Sequence, residues 1–174
     1  EAVEELRTEQ GGNGVATRRN MPDPMVDLDL PGFIPEDLVG HMPTRMTLYQ
    51  RLARSTDIDE LETMGVELRE RFGKLPEELH NLLYSVRIRI LARNARVESV
   101  VCRNDQITMK LRDPAGGASL ALQKALGHGV KVGYQQLHLP IVDGDIPWGQ
   151  ALITVLEELF LFQERALELG LGSL

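Results

Sequence analysis

The spacing of apolar residues changes near residue 96, after three successive helical segments, and this change restricts the folds that the chain can adopt. Before it, three segments place apolar residues three and four positions apart, as one buried helix face requires. After it, VESVVCR and DQITMKLR alternate apolar and polar residues, as half-buried strands do. The order predicts an α+β fold with a helical N-terminal half, a small sheet of short strands and a long C-terminal helix.

The same patterns give approximate bounds for the elements. Val26–Leu30 (VDLDL) alternates like a strand and is followed by a proline. Asn104 and Asp105 suit a tight turn between two strands. The stretch KVGYQQLHLPI fits either one long strand or two, and VDGDIP fits a turn. The predicted helices cover about Arg45–Arg54, Asp57–Phe72, Pro76–Ala95, Ser119–Leu126 and Trp148–Leu167.

The second predicted helix has clear end signals. Ser55 and Thr56 are candidates for its N-cap, the residue whose side chain accepts hydrogen bonds from the first free N–H groups. Gly73 suits a left-handed stop at the other end. Gly65 lies inside the apolar stripe, where it costs about 1 kcal/mol relative to Ala. We therefore expect a neighbouring element to pack closely against Gly65.

Length, charge and cysteine content exclude several classes of protein. A chain of 174 residues, 43% of them hydrophobic, is predicted to form one domain of ordinary size. The formal net charge of −7 disfavours broad non-specific binding to nucleic acid. A single cysteine, Cys102, leaves no internal disulfide framework and suits the cytoplasm. No apolar run approaches the roughly 20 residues that span a bilayer, and the charged start lacks the features of a signal peptide.

The first 25 residues differ in pattern from the rest. Residues 1–6 are predicted to be the end of a helix. Residues 7–25 hold Gly, Asn, Pro and mixed charge without a period that could bury a face, so we expect a linker. The predicted domain therefore covers residues 26–170.

Residues that could catalyse a reaction or bind a metal do not form a recognisable motif. The sequence contains neither of the glycine motifs that bind nucleotides. The four histidines, His41, His80, His128 and His138, lack zinc-site spacing, and the one cysteine has no C-x-x-C partner. Cys102 lies within a predicted strand, where a small buried hydrophobic residue fits. We therefore expect no catalytic residue, metal or cofactor in this fragment, and no enzyme activity of its own.

One charged surface is acidic. Glu60, Glu67 and Glu70 fall on the side of the second predicted helix that faces away from its apolar stripe. Two interpretations are open. The face is either solvated, with Glu67 paired to Arg71 at i,i+4, or it is an acidic patch that binds a basic partner.

The other charged surface is basic. Arg87, Arg89, Arg93 and Arg96 form a run near the end of the third predicted helix, with no acidic residue among them. The last three are predicted to share one face. Basic residues complement the dipole at a helix C-terminus. The alternative is an accessory domain that contacts nucleic acid through this strip. A protein that binds single strands usually has aromatic residues between its basic ones, and this strip has none.

Several spaced blocks of the sequence resemble one family. VDLDLPGFIPEDLV, then RMTLYQRLARSTDIDELETMGVELRERFGKLPEELHNLL, are similar to the C-terminal domain of the bacterial transcription-repair coupling factor (Mfd) family. Its LP-x-x-IPED pattern appears here within Leu30–Asp37, its Tyr-containing basic helix at Arg45–Ala53, and its R-F-G-x-L-P block within Glu60–Pro76. The resemblance is dense over about residues 26–100 and weaker but colinear afterwards. The sequence departs from the family pattern, which has Gly, Asp and Lys where this chain has Arg96, Glu70 and Gln50.

The resemblance implies a regulatory function. In that family the full protein is a translocase on double-stranded DNA, driven by ATP and Mg²⁺, that displaces stalled RNA polymerase and recruits excision repair through UvrA. Residues 1–6 resemble the last helix of its motor module. The C-terminal domain packs on a UvrB-like module of the same chain, hides the UvrA-binding surface and restrains the motor. The resemblance therefore implies autoinhibition through protein contact, and the arginine-bearing partner surface suggests a contact at Glu67 and Glu70, flanked by Glu60.

Overall fold

The computed structural model describes residues 21–142 and 147–170, and it confirms the α+β class. Within these residues the chain forms five α-helices and five strands. The strands are β1 Met25–Asp27, β2 Val97–Arg103, β3 Gln106–Leu111, β4 Lys131–Val132 and β5 Gln136–Pro140. The helices are α1 Met42–Arg54, α2 Ile58–Phe72, α3 Glu77–Asn94, α4 Ser119–Leu126 and α5 Trp148–Glu168.

The strands form one sheet in the order β1-β2-β3-β5-β4. β1 lies parallel to β2, with Val26 opposite Val100, and the other pairs are antiparallel. A parallel pair needs a long crossover connection, and here the crossover contains α1, α2 and α3. The apolar residues on one face of β2, β3 and β5 are buried in the same cluster as residues of α3, α4 and α5. The sheet is therefore covered by helices on that face.

The turn between β2 and β3 is confirmed at the predicted residues. Asn104 and Asp105 have φ values of 50° and 57°. Two left-handed central residues are what a type I′ hairpin turn requires, and Asn and Asp tolerate this conformation better than most non-glycine residues. Arg103 pairs with Gln106 across the turn. Local sequence therefore sets the register of these two strands.

Helix α3 is shared by two hydrophobic cores. Ile88 and Ala92 pack with the sheet, α4 and α5. Leu79, Val86 and Ile90 pack with α1, α2 and the segment that precedes α1. In the sequence, the helical spacing of Leu79, Val86 and Ile90 predicts the second of these faces, whereas Ile88 and Ala92 were not predicted to face a core. Because α3 contributes to both cores, it joins the helical half of the domain to the sheet.

The N-cap predicted for α2 is wrong by one or two residues. Asp57, rather than Ser55 or Thr56, caps the helix: its Oδ1 accepts hydrogen bonds from the N–H of Asp59 at 2.7 Å and of Glu60 at 3.3 Å. Ser55 instead follows the last residue of α1, and its N–H donates back into that helix. Ser55 therefore ends α1, and the cap of α2 falls two residues later, on Asp57.

The end of β1 and the start of α1 also differ from the prediction, and one stretch that the sequence left open is now assigned. β1 ends at Asp27 rather than Leu30, because Asp29 adopts a left-handed conformation with φ 56°. α1 begins at Met42, a few residues early, with a proline in its first turn, where the missing N–H costs nothing. The stretch with two possible strand assignments forms two strands, β4 and β5. Most of the predicted VDGDIP turn, residues 143–146, lies outside the described residues.

The segment before and within β1 is fixed to the domain by arginine side chains. We call residues 22–27 the N-terminal strap. Asp23 accepts a hydrogen bond at one carboxylate oxygen from Nη1 of Arg89, at 3.2 Å, and at the other from Nη1 of Arg93, at 3.1 Å. Both arginines belong to α3. The strap is therefore held against the helix that joins the two cores.

A further contact fixes the start of the strap. Nη2 of Arg112 donates to the carbonyl oxygen of Pro22 at 2.6 Å. Pro22 and Asp23 belong to the segment 1–25 that was predicted to be a helix end and linker. Residues 1–20 of that segment lie outside the described part of the chain.

Candidate protein-interaction surface

Helix α2 has one buried face and one charged face. Its capping by Asp57 and its stop at Gly73, with φ 79°, fix where the helix begins and ends. Glu60, Glu67 and Glu70 are all exposed, on the side assigned to them from the sequence. At 100° per residue, Glu67 and Glu70 lie about 60° apart around the helix. The buried residues of α2 are Leu61, Met64, Gly65 and Leu68.

Glu67 does not take the partner predicted for it. Its Oε2 accepts a hydrogen bond at 3.0 Å from Nη2 of Arg51 on α1, and both side chains are about half exposed. Arg71 instead lies over the ring of Phe72, 5.1 Å from the ring centroid. Exposed ion pairs of this kind contribute only about 0–1 kcal/mol. Glu67 can therefore exchange Arg51 for an external cation at small cost.

The two other glutamates are bound even more loosely. Glu60 Oε2 accepts a long hydrogen bond of 3.4 Å from Ser55 Oγ. The Glu70 carboxylate has no ion pair within the part of the chain that the structure describes. We call Glu60, Glu67 and Glu70 the acidic strip. It presents three exposed carboxylates, none of which is held by more than one weak side-chain contact among the described residues.

The basic run is engaged within the domain, and Arg89 shows this best. Besides its contact with Asp23, its Nη2 donates to the carbonyl oxygens of Leu52, at 2.8 Å, and Ser55, at 2.9 Å. These carbonyls lie at the end of α1, where the regular helical hydrogen bonds run out and only the Leu52 oxygen still accepts from the backbone, at 3.3 Å from the Ser55 N–H. The Arg89 side chain is only 15% exposed. It therefore caps α1 as well as holding the strap.

Two more arginines of the run also contact carboxylates. Arg93 binds Asp23 and is 19% exposed. Arg87 Nη1 lies 3.4 Å from Oε1 of Glu62 on α2. A nucleic acid would have to compete with these carboxylates for the same guanidinium groups.

Arg96 does not share a face with Arg89 and Arg93, so that prediction is wrong. α3 ends at Asn94, and Arg96 adopts a left-handed conformation with φ 54°. Its side chain turns to Asp113, two residues after the end of β3, and Nη2 lies 2.6 Å from Oδ2 of that residue. The run therefore divides among three separate carboxylate partners, Glu62, Asp23 and Asp113, and does not form a continuous basic strip.

Cys102 and the possible metal ligands are the other residues that the sequence offers for chemistry. Cys102 is buried in β2, and burial raises the pKa of its thiol, so the thiolate is disfavoured near neutral pH. Residues 21–142 and 147–170 contain no cluster of three or more His, Cys, Asp or Glu side chains suited to hold a metal ion. Among the same residues, no helix is both long and apolar enough to cross a membrane.

Comparison with known proteins identifies relatives of this sequence. The model of the TRCF domain family matches residues 28–118. The transcription-repair-coupling factor of Escherichia coli (strain K12) is 39% identical over 64 residues, which is 37% of this chain and 6% of that protein. The protein of the same name from Bacillus subtilis (strain 168) is 25% identical over 135 residues, which is 78% of this chain and 11% of that protein. The chain thus matches only a small part of the length of these relatives.

A solved structure shares the fold. The crystal structure of the C-terminal domain of transcription-repair coupling factor superposes with a TM-score of 0.70 and covers 82% of this chain and 95% of that chain. The sequence identity is 17%, so this likeness concerns the fold. Nearly the whole fold of that domain is therefore present here.

Proposed function

The chain belongs to the TRCF domain family, and on this basis we propose that it is the regulatory C-terminal domain of a transcription-repair coupling factor. In this proposal it docks on the UvrB-like module of the same protein. Docking masks the UvrA-binding surface and restrains the DNA translocase motor. The match to the family and the likeness to a solved C-terminal domain support the assignment.

The remaining activities of the parent protein are proposed to lie outside this chain. ATP and Mg²⁺ bind to the motor, and other modules contact RNA polymerase, UvrA and double-stranded DNA. The parent works in the cytoplasm. The present domain contributes protein contact and no chemistry.

The observation that carries the docking proposal is the acidic strip. Glu67 and Glu70 are exposed, lie on one side of a helix that is firmly packed on its other side, and have little to release before they bind. An arginine-bearing surface complements them. Since both carboxylates are already positioned by the helix backbone, binding costs mainly side-chain entropy.

Weak exposed pairs suit a contact that must open. Each contributes about 0–1 kcal/mol and is screened by salt, so a few of them produce a modest total. A competing partner that binds the open state more tightly by a few kcal/mol then shifts the population. A buried apolar interface of large area would be harder to release.

The direct test is calorimetric titration of this domain into the separately produced UvrB-like module, at low and at moderate salt. We expect binding that weakens as salt increases and that UvrA competes away. Absence of binding at low salt, together with salt-dependent binding of the domain to duplex DNA, would overturn the proposal in favour of an accessory nucleic-acid-binding domain.

The double variant Glu67→Arg/Glu70→Arg tests the location of the contact. We expect at least a tenfold loss of affinity for the UvrB-like module, with the far-UV spectrum unchanged. The matched control is Glu157→Arg/Glu168→Arg, which makes the same charge change at exposed positions of α5. If both double variants lose affinity equally, net charge rather than the acidic strip determines the binding.

A further inference from the structure

A groove lies between α2, α3 and the first part of α5, on a different side of α2 from the acidic strip. Its volume is about 460 Å³. This is within the roughly 300–1,000 Å³ of typical small-ligand sites. The groove has an apolar wall and a rim of basic side chains. The apolar wall consists of Leu61, Val66, Leu83, Tyr84 and Ile153.

Gly65 helps to form this groove. It lies on the buried side of α2, and a Cβ built there would have Nη1 of Arg69 at 3.9 Å and Cδ1 of Leu83 at 4.0 Å as its nearest neighbours. These are ordinary van der Waals distances, so the close packing expected at Gly65 from the sequence is wrong. The missing side chain instead leaves room beside α2, and the Arg69 guanidinium lies next to that room.

The arginines of the basic rim have few hydrogen-bond and ion-pair partners within the described residues. Arg69 has no carboxylate partner among the described residues. Arg87 contacts Glu62 through Nη1 at 3.4 Å, but its Nε is buried without a hydrogen-bond acceptor in the described residues. A buried donor without a partner destabilises the fold, because it has lost its hydrogen bond to water and gained none in return. An external acceptor that reaches Arg87 would recover part of that free energy.

The charge of the groove is opposite to that of the whole chain. The formal net charge of the protein is −7. Within the groove, the guanidinium groups of Arg69 and Arg87 face one carboxylate, that of Glu62. Tyr84 adds no free polar group, because its hydroxyl donates to the Gly149 carbonyl oxygen at 2.8 Å. The groove therefore offers an apolar surface next to a local excess of positive charge.

We propose that this groove binds an acidic, amphipathic segment of a partner protein. An apolar side chain of the segment lies against Val66 and Leu83, and a carboxylate of the segment pairs with the guanidinium groups of Arg69 and Arg87. Arginine binds carboxylates through two parallel hydrogen bonds where the geometry allows, and grooves between helices commonly take the apolar face of a peptide helix. This acidic segment is opposite in charge to the basic partner expected at the acidic strip.

The proposal does not rest on the docking function. On α2, Arg69 and Glu70 are neighbours in sequence but point about 100° apart around the helix. A basic partner at the acidic strip and an acidic segment in the groove therefore contact different sides of α2. Variants at one surface leave the other unchanged, so each proposal can fail alone.

The test uses a short fluorescein-labelled peptide in which Leu and Phe recur at helical spacing and Asp and Glu occupy the other positions. Its binding to the domain is followed by fluorescence anisotropy at low salt. A second peptide, with Lys in place of every acidic residue, is the control for apolar binding alone. We expect saturable binding of the acidic peptide and at least tenfold weaker binding of the basic one.

The deciding variant is Arg69→Glu, at an exposed position that has no carboxylate partner among the described residues, and its matched control is Arg54→Glu at the exposed end of α1. We expect Arg69→Glu to weaken binding of the acidic peptide at least tenfold and Arg54→Glu to leave it within twofold. Gly65→Leu, which places a branched side chain beside the groove, is expected to block binding without a change in charge. No saturable binding, equal affinity for both peptides, or equal losses in Arg69→Glu and Arg54→Glu would each overturn the proposal.

Discussion

Arg96 binds Asp113 through two hydrogen bonds to the same carboxylate oxygen, from Nε at 3.0 Å and from Nη2 at 2.6 Å. The backbone of Arg96 is left-handed, with φ 54°. This residue connects α3 to β2 at the position where the family pattern has glycine. The ion pair therefore occurs at a residue whose backbone conformation is unstrained for glycine but strained for arginine.

Two substitutions separate the strain at Arg96 from its ion pair. Both Arg96→Ala and Arg96→Gly remove the contact with Asp113, but only glycine relieves the left-handed backbone, which costs a non-glycine residue about 1–2 kcal/mol. We expect Arg96→Gly to be more stable than Arg96→Ala by about 1 kcal/mol. Urea unfolding of both variants measures the difference. An alanine variant as stable as the glycine variant would contradict the assignment of strain.

Substitution by alanine is expected to change the stability of the domain in opposite directions at Gly65 and Gly73. Gly65 is helical and has space for a Cβ, so Gly65→Ala is expected to stabilise the domain by about 0.5–1 kcal/mol. Gly73 ends α2 with φ 79°, so Gly73→Ala is expected to destabilise the domain by about 1 kcal/mol, although a Cβ there would meet no atom of a packed neighbour within 4 Å. Thermal unfolding of the two variants checks both signs. Destabilisation by Gly65→Ala would mean that Arg69 or Leu83 cannot give way.

The parts of the fold that sequence reasoning predicted correctly are those set by local pattern. α4 and the β2–β3 turn have the expected bounds because periodicity and the left-handed tolerance of Asn104 and Asp105 are local properties. α3 was only half predicted. With residues buried on two sides, including Ile88 as well as Ile90, it lacks the single apolar stripe by which a helix face is recognised.

Side-chain partners could not be predicted, because they depend on the packing of distant segments. Asp23 and Arg89 are 66 residues apart, and no spacing rule connects them. The partner of Glu67 was sought at i,i+4 on its own helix, whereas Arg51 reaches it from the adjacent helix. The exposure of the acidic strip, by contrast, followed from helical geometry alone.

The contact of Asp23 with Arg89 and Arg93 is expected to hold the strap in place. Asp23→Ala removes both ion pairs, and because Asp23 is about half exposed we expect a loss of only about 1 kcal/mol in the free energy of unfolding. Hydrogen exchange at the β1 amides should accelerate more than exchange in β3. The effect should shrink as salt screens the pairs.

The control for this variant is Asp37→Ala. Asp37 is exposed and has no ion pair within the described part of the chain, so its removal should change neither stability nor exchange in β1. If Asp23→Ala behaves like Asp37→Ala at low salt, the strap is held by β pairing and apolar contacts, and its arginine contacts are energetically neutral.

The pair formed by Asp27 of β1 and Arg103 of β2 gives the domain a pH-dependent term. The hydrogen bond from Arg103, followed by that from the Asp29 N–H, lowers the pKa of the Asp27 carboxyl below its usual value. A carboxyl with a lower pKa in the folded than in the unfolded state stabilises the fold above its unfolded pKa, and this contribution is lost as the pH falls through the folded pKa. We therefore expect Asp27→Asn to lower the urea midpoint slightly at neutral pH and to have less effect in acid. In an Arg103→Gln background, the effect of Asp27→Asn on the urea midpoint should depend much less on pH. If that effect keeps the same pH dependence without Arg103, Arg103 does not cause the lowered pKa of Asp27.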